Sequence, residues 1–112
     1  MATPVRTIFF GSGTVALPVL IRLLEIDRAM VESVVTAPPR PAGRKGILTP
    51  TPVAELAAER GLHLRTPSSL RDAHTLTELE GAAPELMVLA DYGRLLPAAV
   101  LDLPRHGALN IH

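Results

Sequence analysis

The sequence has no cysteine and no tryptophan, and it has only one tyrosine and two phenylalanines in 112 residues. The lack of cysteine excludes disulfide bonds, thiolate catalysis and thiolate metal ligands. Hydrophobic residues still make up 47% of the chain, although aromatic residues make up only 3%. The core must therefore be aliphatic, which is typical of parallel strands packed against helices.

An excess of either charge is also missing, since eleven Lys and Arg residues balance eleven Asp and Glu residues. No overall field attracts nucleic acid or anionic lipid, so any such contact must be local. No apolar run has the length of a signal peptide or a membrane span. We expect one domain, without membrane contact and located in the cytoplasm.

Short apolar runs alternate with segments of helical periodicity along the chain, in the order β-α-β-loop-α-β-α-β-α-β. This pattern predicts an α/β fold, a Rossmann-like open parallel sheet with strand order 3-2-1-4-5 and helices on both faces. The predicted strands lie at 6–10, 33–36, 62–65, 86–90 and 107–112. The predicted helices lie at about 17–24, between Thr51 as N-cap and Gly61, from Ser69 to about Gly81, and after Pro97.

The first predicted strand ends in a glycine turn that fits the dinucleotide pattern G-x-G-x-x-A at Gly11, Gly13 and Ala16. A dinucleotide site also needs an acid after the second strand, and the sequence has Thr36, Ala37 and Pro38 there. Two interpretations remain open. The turn binds a nucleotide, or its glycines only allow a tight connection into the helix.

The segment PPRPAGRKGILTPTP has five prolines and two glycines in fifteen residues, which predicts a long exposed loop without regular structure. It carries Arg40, Arg44 and Lys45, and no acid occurs between Glu32 and Glu55. The positive patch is either a solvated surface or a contact for phosphates.

The last predicted strand, GALNIH, places two polar residues in an apolar run. Asn110 and His112 share a face because they are two residues apart, and they lie at the carboxyl end, where open α/β sheets bind ligands. An amide beside an imidazole can stabilise an oxyanion and move a proton, although polar residues at strand ends are also common without a function. The other histidines, His63, His74 and His106, have no metal-ligand spacing, and we expect no metal.

Four stretches resemble the N-terminal part of the methionyl-tRNA formyltransferase family: FFGSGTVALPVL, TAPPRPAGRKGILTPTPVAELA, TPSSLR and DYGRLLPAAVLDLPRHGALNIH. Other folate-dependent transformylases share the sheet and the N-x-H strand, and RPAGRKGILTPTPV favours the tRNA enzyme. The resemblance implies that residues 1–112 are the N-terminal portion of a formyltransferase domain, an incomplete fold that stops at the N-x-H motif. The rest of the catalytic domain and a C-terminal tRNA-binding domain would follow in the family.

The resemblance also implies an activity, the transfer of formyl from 10-formyltetrahydrofolate to the amino group of initiator Met-tRNA. Asn110 and His112 match the catalytic positions. The folate pocket would be lined by Tyr92, Gly93, Arg94, Leu95 and Leu96, and the loop with Arg40, Arg44 and Lys45 would approach the acceptor end of the tRNA. The family's catalytic carboxylate comes later in the family sequence, so we expect the 112-residue chain to be inactive alone.

The sequence departs from the family pattern at three places. Gly13-Thr14 stands where Pro-Glu is usual, Pro39 replaces an Asp, and Asp91 precedes Tyr92 where a small residue is usual. Alternative functions are another folate-dependent formyltransferase or hydrolase, a nucleotide-binding module, or a non-catalytic interaction module. We also expect the strand that bears Asn110 to be an exposed edge through which the chain self-associates.

Overall fold

A computed structural model describes residues 3–111. The elements in chain order are β1 (Val5–Phe10), α1 (Ala16–Leu24), β2 (Ala29–Val35), β3 (Arg40–Ala42), β4 (Ile47–Thr49), α2 (Pro52–Glu59), β5 (Leu64–Arg65), α3 (Ala73–Gly81), β6 (Leu86–Ala90), α4 (Ala98–Leu101) and β7 (Ala108–Ile111). Among the described residues, no helix is both long and apolar enough to cross a membrane.

Five of the strands form one parallel sheet in the order β5-β2-β1-β6-β7. If the small pair β3-β4 is set aside, this is the predicted order 3-2-1-4-5. The prediction of a Rossmann-like parallel sheet is confirmed. β1 lies at its centre, as expected for a short apolar strand that is buried on both faces.

Two layers of helices cover the sheet, because side chains alternate between its faces along each strand. Ile8 and Phe10 pack on one face with residues of α3 and α4, and Phe9 packs on the other with residues of α1 and α2. The prediction of helices on both faces is therefore also confirmed.

The predicted start of α2 is confirmed. Thr51 is extended, and its hydroxyl accepts a hydrogen bond from the amide of Ala54 at 3.0 Å, while Pro52 occupies the first helical position. The helix ends before Gly61, which has a left-handed φ of +66°.

The predicted start of α3 at Ser69 is wrong, because the helix begins after Asp72 as its N-cap. The Ser69 hydroxyl instead accepts a hydrogen bond from the Arg71 amide at 3.1 Å, a local turn, and the Asp72 carboxylate accepts one from His74 at 3.3 Å. Leu70 is buried in the core between them. Burial of Leu70 holds this segment in a turn and delays the helix.

The prediction that residues 38–52 lack regular structure is also wrong. β3 and β4 pair as an antiparallel hairpin, in which Arg40 is opposite Thr49 and Ala42 is opposite Ile47. Gly43 and Gly46 take left-handed φ angles of 74° and 59° in the turn, which glycine allows without strain. All residues of the two strands are exposed, as predicted for the segment. We call residues 38–51 the hairpin arm.

Candidate functional site

The candidate site lies where β1, β6 and β7 end at the same edge of the sheet. The chain runs from β1 outward to β2 and β5, and then crosses to β6 and β7 on the other side of β1. The gap between the ends of β1 and β6 is therefore the topological switch point, where open α/β sheets bind their ligands. The glycine turn (residues 11–15) follows β1, and the wall segment (residues 91–94) follows β6.

The side chain of Tyr92 anchors the wall segment in the core. Its side chain is buried in the core, with 6% of the residue exposed, and its ring meets the ring of Phe10 edge to face with centroids 5.6 Å apart. Burial raises the pKa of Tyr92 above its ordinary value, although the nearby Arg94 acts in the opposite direction. The buried hydroxyl has no hydrogen-bond partner among the described residues. Tyr92 is therefore neutral at physiological pH.

Arg94 fixes the other end of the wall segment. Its Nη1 atom donates to the carbonyl oxygen of Pro67 at 2.9 Å and to that of Ser68 at 3.4 Å. Gly93, between Tyr92 and Arg94 in the chain, has a left-handed φ of 79°. These contacts hold the segment between the core and the loop that follows β5.

The remaining two residues predicted for the folate pocket point to different environments. Leu95 is 92% exposed, whereas Leu96 is partly buried and packs against the core. The structure thus brings Tyr92, Gly93 and Arg94 to the switch point and does not bring Leu95 or Leu96 into the cavities beside it.

Two cavities flank the wall segment. One, of about 360 Å³, lies between the wall segment, Val15 and the end of β7, and Asn110 lines it. The other, of about 370 Å³, lies between the wall segment and the base of the hairpin arm, with Arg40 and Ser12 in its lining. Asn110 is exposed and pairs in register with Leu89 of β6. His112, the other predicted catalytic residue, lies outside the described residues.

Four of the five backbone amides of the glycine turn donate hydrogen bonds within the protein. The Gly11 amide donates to Val35 O at 3.0 Å, and the amides of Ser12 and Gly13 donate to Asp91 O at 2.9 and 3.2 Å. The Val15 amide donates to Asp91 Oδ2 at 3.2 Å. A pyrophosphate would need such amides as donors. Their use by Asp91 and Val35 argues against a dinucleotide in this turn.

Gly11 is required by close packing. A Cβ atom there would lie 2.6 Å from a ring carbon of Phe9 and 2.7 Å from Ala90 O. This supports the interpretation in which the glycine allows a tight turn into α1.

At the end of β2, where a dinucleotide site needs an acid, Thr36 belongs to a hydroxyl network. Thr36 is fully buried, and its Oγ1 lies 3.2 Å from Ser12 Oγ and 2.6 Å from Thr51 Oγ1. Ser12 Oγ also accepts a hydrogen bond from the Ala37 amide at 3.0 Å. The network joins the two ends of the hairpin arm to the glycine turn. Sequence reasoning identified Thr51 as a cap but missed this network.

The predicted phosphate contacts are all on the hairpin arm. Arg40 lies in β3, and Arg44 and Lys45 lie in the turn between β3 and β4. All three are exposed, and none takes part in the ion pairs found within residues 3–111. The arm therefore presents a cationic surface beside the second cavity. Within the same residues, no group of three His, Asp or Glu side chains could hold a metal ion.

Comparison with known families shows to which family the chain belongs. The profile of the formyl transferase family matches residues 5–112. The chain belongs to the formyl transferase family. Three relatives named methionyl-tRNA formyltransferase come from Dehalococcoides mccartyi, Parafrankia sp. and Chromohalobacter salexigens. They are 47% and 45% identical over 107 residues and 42% identical over 112 residues, and these matches cover 96%, 96% and 100% of this chain.

This formyl transferase chain spans only 34% of the length of each of those three relatives. A solved structure, glycinamide ribonucleotide transformylase 1 from Geobacillus kaustophilus, has the same fold with a TM-score of 0.67 at 21% identity. That match covers 99% of this chain and 58% of the transformylase. The formyl transferase fold predicted from the motifs is therefore confirmed.

Proposed function

We propose that the chain is the N-terminal portion of the catalytic domain of a methionyl-tRNA formyltransferase, which transfers formyl from 10-formyltetrahydrofolate to the amino group of initiator Met-tRNA. The observation that carries the proposal is identity of 42–47% to enzymes of that name over almost the whole chain. The chain spans a third of their length, so the activity belongs to the complete enzyme.

In this proposal the cavity lined by Asn110 receives the formyl end of the folate. The amine nitrogen attacks the formyl carbon, and negative charge develops on the formyl oxygen. The side-chain amide of Asn110 donates a hydrogen bond to that oxygen. His112, the second residue of the N-x-H motif, is the other group that stabilises the oxyanion in this proposal. The bond from the formyl carbon to the folate nitrogen then breaks. The attacking amine loses a proton, and the departing folate nitrogen gains one.

The exposed position of Asn110 and the contacts that hold the wall segment support this assignment. An oxyanion donor must be accessible from the cavity, and Asn110 is exposed at its edge. The opposite side of the cavity is held by the buried ring of Tyr92 and the hydrogen bonds of Arg94. Such support keeps a ligand near the reactive groups.

The hairpin arm supplies the proposed contact with tRNA. Arg40, Arg44 and Lys45 have no acidic neighbour in the arm, and the network of Ser12, Thr36 and Thr51 fixes the arm at its base. A cationic surface on a fixed hairpin suits the phosphates of a nucleic acid better than a freely solvated loop does.

The experiment joins this chain to the remaining two thirds of the Parafrankia relative and measures formyl transfer to Met-tRNA. We expect the chimera to be active and Asn110→Ala to lower kcat by about 10² to 10³-fold, the usual loss when one oxyanion donor is removed. Arg22→Ala is the matched control, because Arg22 is exposed on α1 away from the cavity.

Two outcomes would overturn the proposal. A chimera that formylates glycinamide ribonucleotide but not Met-tRNA would place the chain among the other folate-dependent transformylases. An Asn110→Ala variant with native kcat would remove Asn110 from the reaction.

A further inference from the structure

Asp91, the first residue of the wall segment, has an unusual backbone. Its φ is +51°, in the left-handed region that residues other than glycine rarely adopt and that Asp and Asn tolerate best. Such a conformation persists only where the surroundings hold it. The contacts of Asp91 must therefore offset the free-energy cost of its left-handed backbone.

Both the backbone and the side chain of Asp91 hold the glycine turn. Its carbonyl oxygen accepts hydrogen bonds from the amides of Ser12 and Gly13 at 2.9 and 3.2 Å. Its carboxylate oxygen Oδ2 accepts one from the Val15 amide at 3.2 Å.

Val15 is the N-cap position of α1 and has no side-chain cap of its own. The amides of Ala16 and Leu17 in the first turn of α1 donate to Gly13 O and Thr14 O at 3.1 and 3.2 Å. Asp91 therefore supplies, from the end of another strand, the acceptor for the amide of the residue that precedes this turn.

Gly13 provides the space for that carboxylate. A Cβ atom at position 13 would overlap Asp91 Oδ2 and lie 3.0 Å from Asp91 Cγ. Gly13 is not among the residues with left-handed φ, so its backbone conformation does not require glycine. Glycine is needed at position 13 because a side chain there would collide with the Asp91 carboxylate, and not because of its backbone conformation.

We propose that Asp91 is a positioning residue that locks the wall segment to the glycine turn before α1, and that the absence of a side chain at Gly13 makes room for the Asp91 carboxylate. The lock sets the position of the wall segment that both cavities share, and Asp91 itself lines the cavity that contains Asn110. The inference holds whichever substrate the site takes, so it is independent of the proposed function.

The test is a double-mutant cycle in the 112-residue chain, with Gly13→Ala, Asp91→Ala and the two changes together. We expect Gly13→Ala to lower Tm by several degrees in the native background and by less than about one degree when Asp91 is already Ala, since contacting residues are not additive. Additive shifts in Tm would overturn the proposal.

A spectroscopic measurement on the same variants separates positioning from general stability. In proton–nitrogen spectra, Asp91→Ala should move the amide signals of Val15 and Gly93 and the side-chain amide signal of Asn110. Asp91→Asn retains an acceptor oxygen and tolerates the left-handed backbone, so it should leave these signals near their native positions.

Glu80→Gly is the matched control, because Glu80 is exposed in α3 and glycine there lowers Tm without touching either segment. It should leave the signals of Val15, Gly93 and Asn110 unchanged. Unmoved signals in Asp91→Ala, or equal movement in Glu80→Gly, would show that Asp91 does not position the wall segment.

Discussion

Glu85 joins three segments at the edge of the sheet opposite the candidate site. Its carboxylate accepts a hydrogen bond from the Arg6 amide at 3.0 Å and pairs with Arg105. Its backbone bonds to Arg6 O and to the His106 amide, both at 2.7 Å. One side chain therefore ties the start of β1 to the chain that enters β7.

These contacts make Glu85 a source of acid sensitivity. The hydrogen bond from the Arg6 amide lowers the pKa of the Glu85 carboxyl below its ordinary value of 4.5; partial burial opposes this, and Arg105 adds to the lowering. Because the folded-state pKa is lowered, the stabilisation is fully present above the unfolded-state value and is lost as pH falls through the folded-state value.

We expect Glu85→Gln to lower Tm at pH 7 and to have a progressively smaller effect as pH falls below about 4.5. Thermal unfolding between pH 7 and pH 3 measures this. Glu59→Gln removes the same charge from an exposed position on α2 and controls for net charge. A Tm difference for Glu85→Gln that stays constant with pH would contradict the assignment.

Single residues differed in how well the sequence could predict their roles. Asn110 was identified because it and His112 are two polar residues, two positions apart, in an apolar strand, and such a signal is local. Asp91 was noted only as a departure from the family pattern, since its side-chain contact is with Val15, 76 positions earlier in the chain. Thr36 likewise acts through Ser12 and Thr51, 24 and 15 positions away. Contacts of that range leave no periodic pattern.

At the scale of elements, local signals predicted the start of a helix correctly where the sequence offered only one capping residue. Thr51 followed by Pro52 defined the start of α2, whereas Ser69 and Asp72 both offered a capping oxygen before α3. Burial of Leu70 decided between them, and burial depends on the tertiary structure. The sequence could not settle that choice.

The hairpin arm was not predicted because its prolines and glycines are compatible both with an irregular loop and with a two-stranded hairpin. Pro41 cannot donate a backbone hydrogen bond, and this normally argues against a strand. β3 and β4 form a separate two-stranded sheet, so each strand is an edge and Pro41 is tolerated. The same glycines that suggested an irregular loop form the turn between β3 and β4.

The arm leads to a prediction about salt dependence. In the chimera with the Parafrankia relative, changing both Arg44 and Lys45 to Ala should weaken tRNA binding and reduce the slope of log affinity against log salt by about 2, roughly one unit for each lost phosphate contact. Folate binding should not change. Filter binding at several salt concentrations measures the slope.

The matched control for the arm is the pair Arg60→Ala and Arg71→Ala, which removes the same charge from exposed positions outside the arm. It should lower the slope less. If both pairs change the slope equally, the arm contributes only net charge, and the interpretation of its cations as a solvated surface is restored.

At the scale of the whole molecule, the sheet order could be predicted because few topologies satisfy short right-handed crossovers between parallel strands. The exposed edge at the strand that bears Asn110 was predicted as well. β7 is an edge strand whose four residues are all exposed, and Leu109 and Ile111 line an apolar cavity of about 600 Å³ with residues of α1. This cavity was not predicted, because its lining comes from segments that lie far apart in the chain.

Self-association through β7 stays a prediction for the 112-residue chain. Unpaired backbone groups and apolar side chains on an edge favour pairing with another copy. Sedimentation velocity should show a concentration-dependent increase in mass, and Leu109→Glu should abolish it. Ile47→Glu, on the exposed hairpin arm, should have no effect. A native chain that stays monomeric at high concentration would contradict the prediction.

The last prediction is that the 112-residue chain does not catalyse formyl transfer by itself. Asn110 lies on an exposed edge strand that, among the described residues, pairs with β6 alone. Catalytic groups must be held to within a fraction of an ångström, and an edge strand that is paired on one side only holds them poorly.

A radiolabelled-formyl assay on the chain beside the chimera tests this prediction, with calorimetry to measure folate binding. We expect transfer only in the chimera and at best weak folate binding by the chain alone. Transfer by the short chain that His112→Ala abolishes would show that these 112 residues already hold Asn110 and His112 rigidly enough for the reaction.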